Sequence, residues 1–204
     1  MVKVQLTKKE ADRIMKMEDR TKGVVLKTLE EYILNKKGKE GLGMVEKRLK
    51  ELGYPLKFKE ISSYKLYQGP IDVLLTLVIL DAFQWDESEA FNMGYDSLVV
   101  HSLSAKLLMS RFISIETAIK NAPKFWHYFS NLGEIKFPQY NIDKGSAIMY
   151  LEGYKKFHPA EYSYIRGVLT KIIEIMSKSK NVKVEQTKSL FKGDSYDEFK
   201  ITWV

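Results

Sequence analysis

Side chains that commonly do chemistry are scarce in this chain. Its 204 residues include no cysteine, which excludes disulfides, thiolate metal sites and a cysteine nucleophile. The three histidines, His101, His127 and His158, stand in no His-Glu-x-x-His or other metal-ligand spacing. The glycines form neither a phosphate-binding loop nor a Gly-x-Ser-x-Gly nucleophile elbow. We therefore predict no catalytic residue and no enzyme activity. We predict no metal site, with one histidine plus carboxylates as the weaker alternative.

The most compact acidic group is Asp86-Glu87-Ser88-Glu89. It stands where a helix is predicted to begin, and negative charge there complements the exposed amide groups of the first turn. A pair of catalytic carboxyl groups would need surroundings that move their two pKa values apart. The group is therefore interpreted as a helix start.

Aromatic residues are more informative than the acidic group. Four of them, Phe125, Trp126, Tyr128 and Phe129, lie within five positions, and more follow downstream. Such a set can line an apolar pocket with a few polar tips, although ordinary core packing is the alternative for each residue. The predicted pocket residues are Phe125, Trp126, Tyr128, Tyr150 and Tyr154.

The positive charge of the chain is concentrated in its first third. Of the net +7, residues 1–70 contribute everything, with 17 basic against 10 acidic residues, and residues 71–204 contribute 16 of each. Solvated helix faces explain this pattern, and a basic surface for a partner is the alternative. No aromatic-plus-basic motif for single-stranded nucleic acid accompanies the lysines, so a protein partner is favoured over nucleic acid.

Composition indicates a globular protein of the cytoplasm. Hydrophobic residues make up 45% and charged residues 29% of the chain, and no apolar signal sequence is evident at the N-terminus. The longest apolar run, Ile71 to Leu80, is about half of the ~20 residues that a membrane crossing needs, so we predict no membrane insertion. The Lys- and Glu-rich, cysteine-free composition is also compatible with a heat-adapted source.

The first two thirds of the chain have helical patterns. A capping box at Thr7 to Glu10 opens a helix towards Asp19, and a second helix runs from Gly23 to about Asn35, with Gly38 as a stop. The predicted helices that follow span residues 42–52, 71–83 with Pro70 in the first turn, 87–95, 96–109 and 114–132. Pro123 is expected to start, bend or split the last of them.

Strand patterns begin after Gly133. Short strands are predicted at 134–137 and 147–151, a helix at 159–177, and alternating segments at 182–190 and 199–203, with a turn at 192–195 between them. Helices followed by mostly antiparallel strands predict an α+β fold, with a helical N-terminal part packed on a small antiparallel sheet of about four strands. We predict one domain over residues 1–204, in which 1–21 form a helical extension.

The order of features in the second half resembles a known superfamily. That superfamily contains haem-nitric oxide binding domains, 4-vinyl reductase domains and subunits of the TRAPP vesicle-tethering complex. The matching features are the Asn131-Leu132-Gly133 turn, a strand ending at Tyr150, Pro159, the helix with Gly167-Val168-Leu169, and the closing stretch Lys192 to Trp203. The helical pair from Gly23 to Gly53 resembles the opening of the haem group, so the resemblance covers about residues 22–204.

Departures from the family motifs decide what the resemblance implies. The closing motif of the reductase group carries Cys where this chain has Asp197, so thiolate chemistry is lost. The haem group holds propionates with Tyr-x-Ser-x-Arg, and the matching residues here are Tyr150, Glu152 and Tyr154. A carboxylate at Glu152 would repel propionates, and the bidentate guanidinium is missing.

The resemblance also implies a histidine that binds the haem iron. His127 lies near the position of the family's ligand, offset by about one residue, and His101 is the second candidate. We predict a non-enzymatic sensor or ligand-binding domain without haem, for a small apolar molecule, signalling to a protein partner. A homodimer is also expected, because TRAPP-type relatives pair through helices. The alternatives are a haem-binding sensor of NO or O2, and a basic protein- or nucleic-acid-interaction module.

Overall fold

The computed structural model describes residues 3–97 and 114–204. Its helices are α1 (Lys8–Met15), α2 (Gly23–Glu51), α3 (Ile71–Phe83), α4 (Glu87–Ser97), α5 (Ile115–Phe129) and α6 (Pro159–Ser177). Its strands are β1 (Arg20–Lys22), β2 (Leu66–Gln68), β3 (Glu134–Asn141), β4 (Ser146–Glu152), β5 (Val182–Lys188) and β6 (Asp197–Trp203). The predicted α+β fold is confirmed. The predicted helix over 96–109 lies outside the described residues from position 98 onward, and so does His101.

The N-terminal extension belongs to the same core as the rest of the chain. The predicted capping box is present, because the Thr7 hydroxyl accepts from the Glu10 amide while Glu10 accepts from the Thr7 amide. Val4, Leu6 and Ile14 are buried in the main hydrophobic cluster. Their burial fixes α1 against the helices that follow.

Helix α2 is interrupted where the sequence predicted a stop. Gly38 has φ of 64° and ψ of −164°, a conformation that glycine adopts readily and other residues rarely do. The helical backbone continues on both sides of this residue to the end of α2. The two predicted helices are therefore two arms joined by a kink.

Helix α3 is the centre of the fold. It is apolar nearly all round, and ten of its thirteen residues are buried. Pro70 occupies the N-cap position and not the first turn, one residue earlier than predicted. The Arg48 guanidinium from α2 donates to Asp81 Oδ2 at 2.7 Å and to the Leu6 carbonyl at 2.7 Å, and so ties three segments together.

The main sheet has four antiparallel strands in the order β3-β4-β6-β5. Buried and more exposed side chains alternate along β4 and β6. The buried residues Met149, Leu151, Phe199 and Ile201 face the core. The segment predicted as one strand over 182–190 ends at Lys188 and continues as a short 3-10 helix. A second sheet pairs β1 with β2, and the sequence analysis missed it because each strand is only three residues long.

Two helix features complete the frame. Helices α4 and α6 cross closely at Gly94 and Gly167, since a Cβ atom at Gly94 would lie 2.0 Å from the Tyr164 carbonyl oxygen.

Helix α5 runs through Pro123 as a single element, so the proline does not split it. Within the described part of the chain, no helix has the length and apolar character needed to span a bilayer.

Candidate functional site

A cluster of aromatic rings lies where the loop after β4 meets α5 and α6. Tyr154 is its centre, with 5% of its surface exposed. Its ring centroid lies 5.2 Å from that of Phe157, 6.2 Å from that of Tyr162 and 6.5 Å from that of Trp126. All three pairs are in edge-to-face arrangements, which aromatic rings favour.

The turn after α5 positions the Trp126 ring against this cluster. Trp126 Nε1 donates to the Leu132 carbonyl oxygen at 2.9 Å, which fixes the indole ring from the side of the turn. Gly133 follows with φ of +67°, and a Cβ atom there would lie 2.5 Å from the Glu152 carbonyl oxygen. The Asn131-Leu132-Gly133 turn therefore needs glycine for the close approach of α5 to the end of β4.

A buried carboxyl group adjoins the rings. Glu161 stands in the first turn of α6 and is 4% exposed. The Tyr154 hydroxyl donates to Glu161 Oε1 at 3.3 Å, whereas Glu161 Oε2 has no hydrogen-bond partner among the described residues. Burial, with a further contribution from Asp72, raises the pKa of Glu161 to about 8. Burial and the neighbouring Glu161 likewise raise the pKa of the Tyr154 phenol well above its usual value.

A second carboxyl group, that of Asp72, belongs to another helix and contributes to the raised pKa of Glu161. It lies in the first turn of α3, and its Oδ1 accepts from the fully buried Thr21 hydroxyl at 2.7 Å. Removal from water raises the pKa of the Asp72 carboxyl, although hydrogen bonds from Thr21 and from the helix amides oppose this. Thr21 also forms an isolated β-bridge with Ser130, the C-cap residue of α5, so β1 joins α3 to the end of α5.

A further buried carboxyl group, that of Asp197, influences Tyr162. Asp197 is fully buried, and its Oδ1 accepts from the Leu190 amide and from Gln186 Nε2, both at 3.0 Å. In the described part of the chain, Asp197 Oδ2 and the Tyr162 hydroxyl have no hydrogen bond of good geometry. Burial raises the pKa of both groups, and the charge of Asp197 adds to the effect on Tyr162. Through these two hydrogen bonds, Asp197 at the start of β6 holds the end of β5 and the loop that joins the two strands.

The five predicted pocket residues separate into two groups. Trp126 and Tyr154 meet in the buried cluster, and Phe125 is half-buried on the same helix as Trp126. Tyr128 is 53% exposed, with the Lys22 ammonium 3.1 Å from its ring centroid. Tyr150 lies on the outer face of the sheet and packs on Tyr196 with ring centroids 4.4 Å apart. The structure therefore does not bring Tyr128 or Tyr150 to the cluster.

The candidate iron ligand and the propionate-clamp positions face different directions. His127 is exposed on α5, while its neighbour Trp126 turns inward. Glu152 forms an ion pair with Lys136 at the sheet surface. The Tyr154 hydroxyl is already hydrogen-bonded to Glu161. These residues do not fit a haem group, because an imidazole at 127 points away from the cluster. The clamp positions also carry the Glu152 carboxyl group in place of a hydroxyl and the Tyr154 phenol in place of a guanidinium group. Within residues 3–97 and 114–204, no group of three or more histidine and acidic residues is arranged to hold a metal ion.

Sequence reasoning missed the polar half of the site. Glu161 and Asp72 each follow a proline at a helix start, where an acidic residue has an ordinary electrostatic explanation. Thr21 lies in a strand too short to predict. The one available signal was that Asp72 interrupts an otherwise apolar run.

Comparisons with known proteins identify the fold. No family model matches the sequence, and no curated protein matches it. An H-NOX protein from S. oneidensis, solved in the Fe(II)NO ligation state, matches with a TM-score of 0.65 and 10% identity, covering 90% of this chain and 99% of that one. An H-NOX mutant from K. algicida, solved as Fe(II) unliganded, matches with a TM-score of 0.62 and 14% identity, covering 90% and 96%.

These matches confirm an H-NOX-like fold over most of the chain. The resemblance to haem-nitric oxide binding domains is therefore confirmed at the level of fold. A TRAPP complex subunit 3 from Naegleria fowleri matches with a TM-score of only 0.43, which supports no argument. The resemblance to 4-vinyl reductase domains stays a prediction.

Proposed function

We propose that the chain is a non-enzymatic ligand-binding sensor domain that uses the H-NOX-like fold without haem. The observation that carries the proposal is the contact of Tyr154 with Glu161 and Trp126. By the sequence resemblance, Tyr154 stands where a haem-binding relative has an arginine, and here its phenol contacts the Glu161 carboxyl group.

The cluster has the composition of a small-molecule site. Aromatic rings supply apolar walls, and few polar atoms lie among them, which is typical of ligand pockets. Glu161 Oε2 is buried and without a partner among the described residues, and such a group is costly unless something binds it. A ligand that contacts this oxygen would therefore be held by a specific polar group as well as by the rings.

The signal would be a shift between two packings of the helices. The cluster joins α3, α5, α6 and the loop after β4, so a ligand there contacts several elements at once. A ligand that binds one arrangement more tightly increases its population, and a protein partner can bind that arrangement selectively. The partner and any homodimer remain proposals.

Ligand binding can be tested with a neutral apolar probe. We expect N-phenyl-1-naphthylamine to bind delipidated protein with a saturable rise in fluorescence. Trp126→Phe should change the binding, because it removes the Nε1 donor and shrinks the wall, while Tyr128→Phe should leave it unchanged because Tyr128 is largely exposed. A flat titration, together with no small molecule in native mass spectra of the purified protein, would reject the ligand-binding function.

A haem-binding gas sensor is the second candidate function, and the fold favours it. The S. oneidensis protein is described in an Fe(II)NO state. Another matched structure, which covers 89% of this chain with a TM-score of 0.60, concerns haem redox potential and porphyrin distortion. If this candidate holds, protein reconstituted with haemin should show a Soret band that His127→Ala abolishes. If haem is absent, wild type and His127→Ala should give the same spectrum as free haemin.

A further inference from the structure

A depression lies between the end of α1 and the two-stranded sheet of β1 and β2. Its volume is about 560 Å³, within the range of roughly 300–1,000 Å³ that small-molecule sites occupy. None of the packed rings around Tyr154 lines it, so it is a separate place on the molecule. Its lining residues are Met15, Lys16, Met17, Glu18, Arg20, Gln68 and Gly69.

Arg20 and Gln68 stand side by side in the lining. They are directly opposite in the antiparallel pairing of β1 with β2, so their side chains leave the same face of the sheet. The backbone of Arg20 is held from its other side, because its amide donates to Asn131 Oδ1 at 2.6 Å and its carbonyl oxygen accepts from the Asn131 amide. A guanidinium group and a primary amide are therefore presented together, and a guanidinium group matches the two oxygens of a carboxylate.

The charges that line the depression are not neutralised by partners. Lys16 and Arg20 supply two cations and Glu18 supplies one anion, and all three residues are exposed. In the described parts of the chain, none of the three takes part in an ion pair. Lys16 is the C-cap residue of α1, where a basic side chain complements the helix end, but Arg20 lies in a strand and has no such role. The excess of one positive charge favours an anionic ligand.

Two methionines give the depression an apolar side. Met15 and Met17 are half-buried and pack against the hydrophobic core. Gly69 leaves room for the Met15 side chain, since a Cβ atom at Gly69 would lie 2.8 Å from Met15 Cε. Thioether side chains adapt to the shape of a ligand and make favourable contacts with aromatic rings.

We propose that this depression binds a small carboxylate that carries an aromatic ring. The carboxylate contacts the Arg20 guanidinium, the Gln68 amide and the Lys16 ammonium group, and the ring lies against Met15 and Met17. This inference goes beyond the proposed function, because it assigns a second site whose ligand is negatively charged.

The first test compares an acid with a neutral analogue of similar shape. 3-Phenylpropionate and 3-phenylpropanol are titrated into the full chain by calorimetry at pH 7 and low ionic strength. We expect the acid to bind at least about fivefold more tightly, and this preference should shrink in high salt because the cations are exposed.

Charge variants should change the affinity for the acid in opposite directions. Arg20→Gln and Lys16→Gln should weaken it by about three- to tenfold each, and Glu18→Gln should strengthen it by about two- to threefold, as expected for exposed charges. Lys39→Gln, an exposed lysine on α2 outside the lining, removes the same charge and should have no effect. Circular dichroism spectra of all variants establish that they are folded.

Methyl resonances locate the bound acid. In protein whose methionines are labelled with 13C at the methyl group, the signals of Met15 and Met17 should shift and saturate during the titration. Met44, which is 51% exposed on α2, is the control and should not shift. Met15→Leu, Met17→Leu and Met44→Leu assign the three signals.

The outcomes decide this site separately from the one at Tyr154. No binding of the acid, equal affinity for acid and alcohol, or an equal loss in Arg20→Gln and Lys39→Gln would overturn the proposal. Binding that leaves the Met15 and Met17 signals unmoved would place the acid elsewhere and would overturn it as well. Trp126→Phe alters the aromatic cluster only and should leave the affinity for the acid unchanged.

Discussion

The Tyr154 hydroxyl donates to Glu161 Oε1 at 3.3 Å in a site closed to water on both residues. One comes from the loop after β4 and the other from the first turn of α6, so the bond links the sheet to a helix. Because this bond is long and both residues are almost fully buried, it does not offset the burial of the carboxyl group. Glu161 is therefore neutral at pH 7, with its pKa raised to about 8.

The first prediction concerns the pH dependence of stability. The pKa of Glu161 is higher in the folded protein, about 8, than its ordinary value of 4.5, so the folded state holds the proton more tightly. The contribution to stability is complete below pH 4.5 and is lost as the pH rises through 8, a loss of roughly 3–5 kcal/mol at about 1.4 kcal/mol per pKa unit. Glu161→Gln should remove this decline, measured by urea unfolding between pH 5 and pH 8.5.

A surface carboxyl group supplies the control for this measurement. Glu152→Gln removes the exposed pair with Lys136 and should change the stability by less than about 1 kcal/mol, without altering the pH slope. If Glu161→Gln and wild type lose stability in parallel as the pH rises, Glu161 is not the group that titrates.

The second prediction has the opposite sign and concerns His158. His158 caps α6 by accepting from the Ala160 amide at Nδ1 over 3.1 Å, which only an unprotonated nitrogen can do. Burial lowers the pKa of His158, with the charge of Arg13 acting in the same direction and those of Glu10 and Glu87 opposing it. The neutral cap therefore stabilises the fold above the unfolded pKa of about 6.5, and this contribution is lost as the pH falls.

His158→Asn tests the cap, because asparagine caps helices without titrating in this range. The variant should keep its stability between pH 7 and pH 5, while wild type loses about 1 kcal/mol from this residue. The difference in unfolding free energy between the two proteins at each pH isolates the histidine from Glu161. A constant difference across that range would show that the cap does not titrate.

Regular elements of the fold could be predicted from the sequence because their signals are local. Pro159 sets the start of α6, the capping box sets α1, and Gly38 marks the kink in α2, each through backbone chemistry that neighbouring residues determine. The strands of the four-stranded sheet could be predicted because apolar and polar residues alternate along them. The strands β1 and β2 did not, because three-residue strands carry no periodic signal.

The candidate site could be predicted only in its aromatic half. Tyr150 and Tyr154 look equivalent in the sequence, yet Tyr150 lies on the outer face of β4 and Tyr154 lies beyond its end, in the core. The Asp72–Glu161 pair depends on two helices meeting far apart in sequence, which no local pattern encodes. His127 and Trp126 differ by one position, and one helical step of 100° decides which side chain turns inward.

The third prediction concerns Arg48, which makes a forked contact. Its Nε donates to Asp81 and its Nη2 donates to the Leu6 carbonyl oxygen, so one planar group holds α3 and the N-terminal segment. A lysine ammonium cannot serve both directions, so Arg48→Lys should destabilise the protein by about 1–3 kcal/mol, through the loss of a hydrogen bond to a buried carboxylate. Lys47→Arg on the exposed face of α2 is the control and should be neutral. Equal urea midpoints for Arg48→Lys and wild type would contradict the role given to the fork.

The last prediction compares two helical glycines with opposite surroundings. A Cβ atom at Gly94 would lie 2.0 Å from the Tyr164 carbonyl oxygen and 3.1 Å from the Val168 amide nitrogen, both backbone atoms of α6. A Cβ atom at Gly43 would meet nothing within 4 Å. Gly94→Ala must therefore separate two packed helices, at a cost of about 1–3 kcal/mol that exceeds the ~1 kcal/mol gain in helix propensity.

Gly43→Ala should instead stabilise the protein by up to about 1 kcal/mol, since only the propensity term remains. Urea unfolding monitored by circular dichroism measures both variants against wild type. The sign of the two changes is the result of interest, because both substitutions add the same methyl group to a helix. If Gly94→Ala were as stable as Gly43→Ala, the close crossing of α4 and α6 would be wrong, and with it the position of the α6 first turn that carries Glu161.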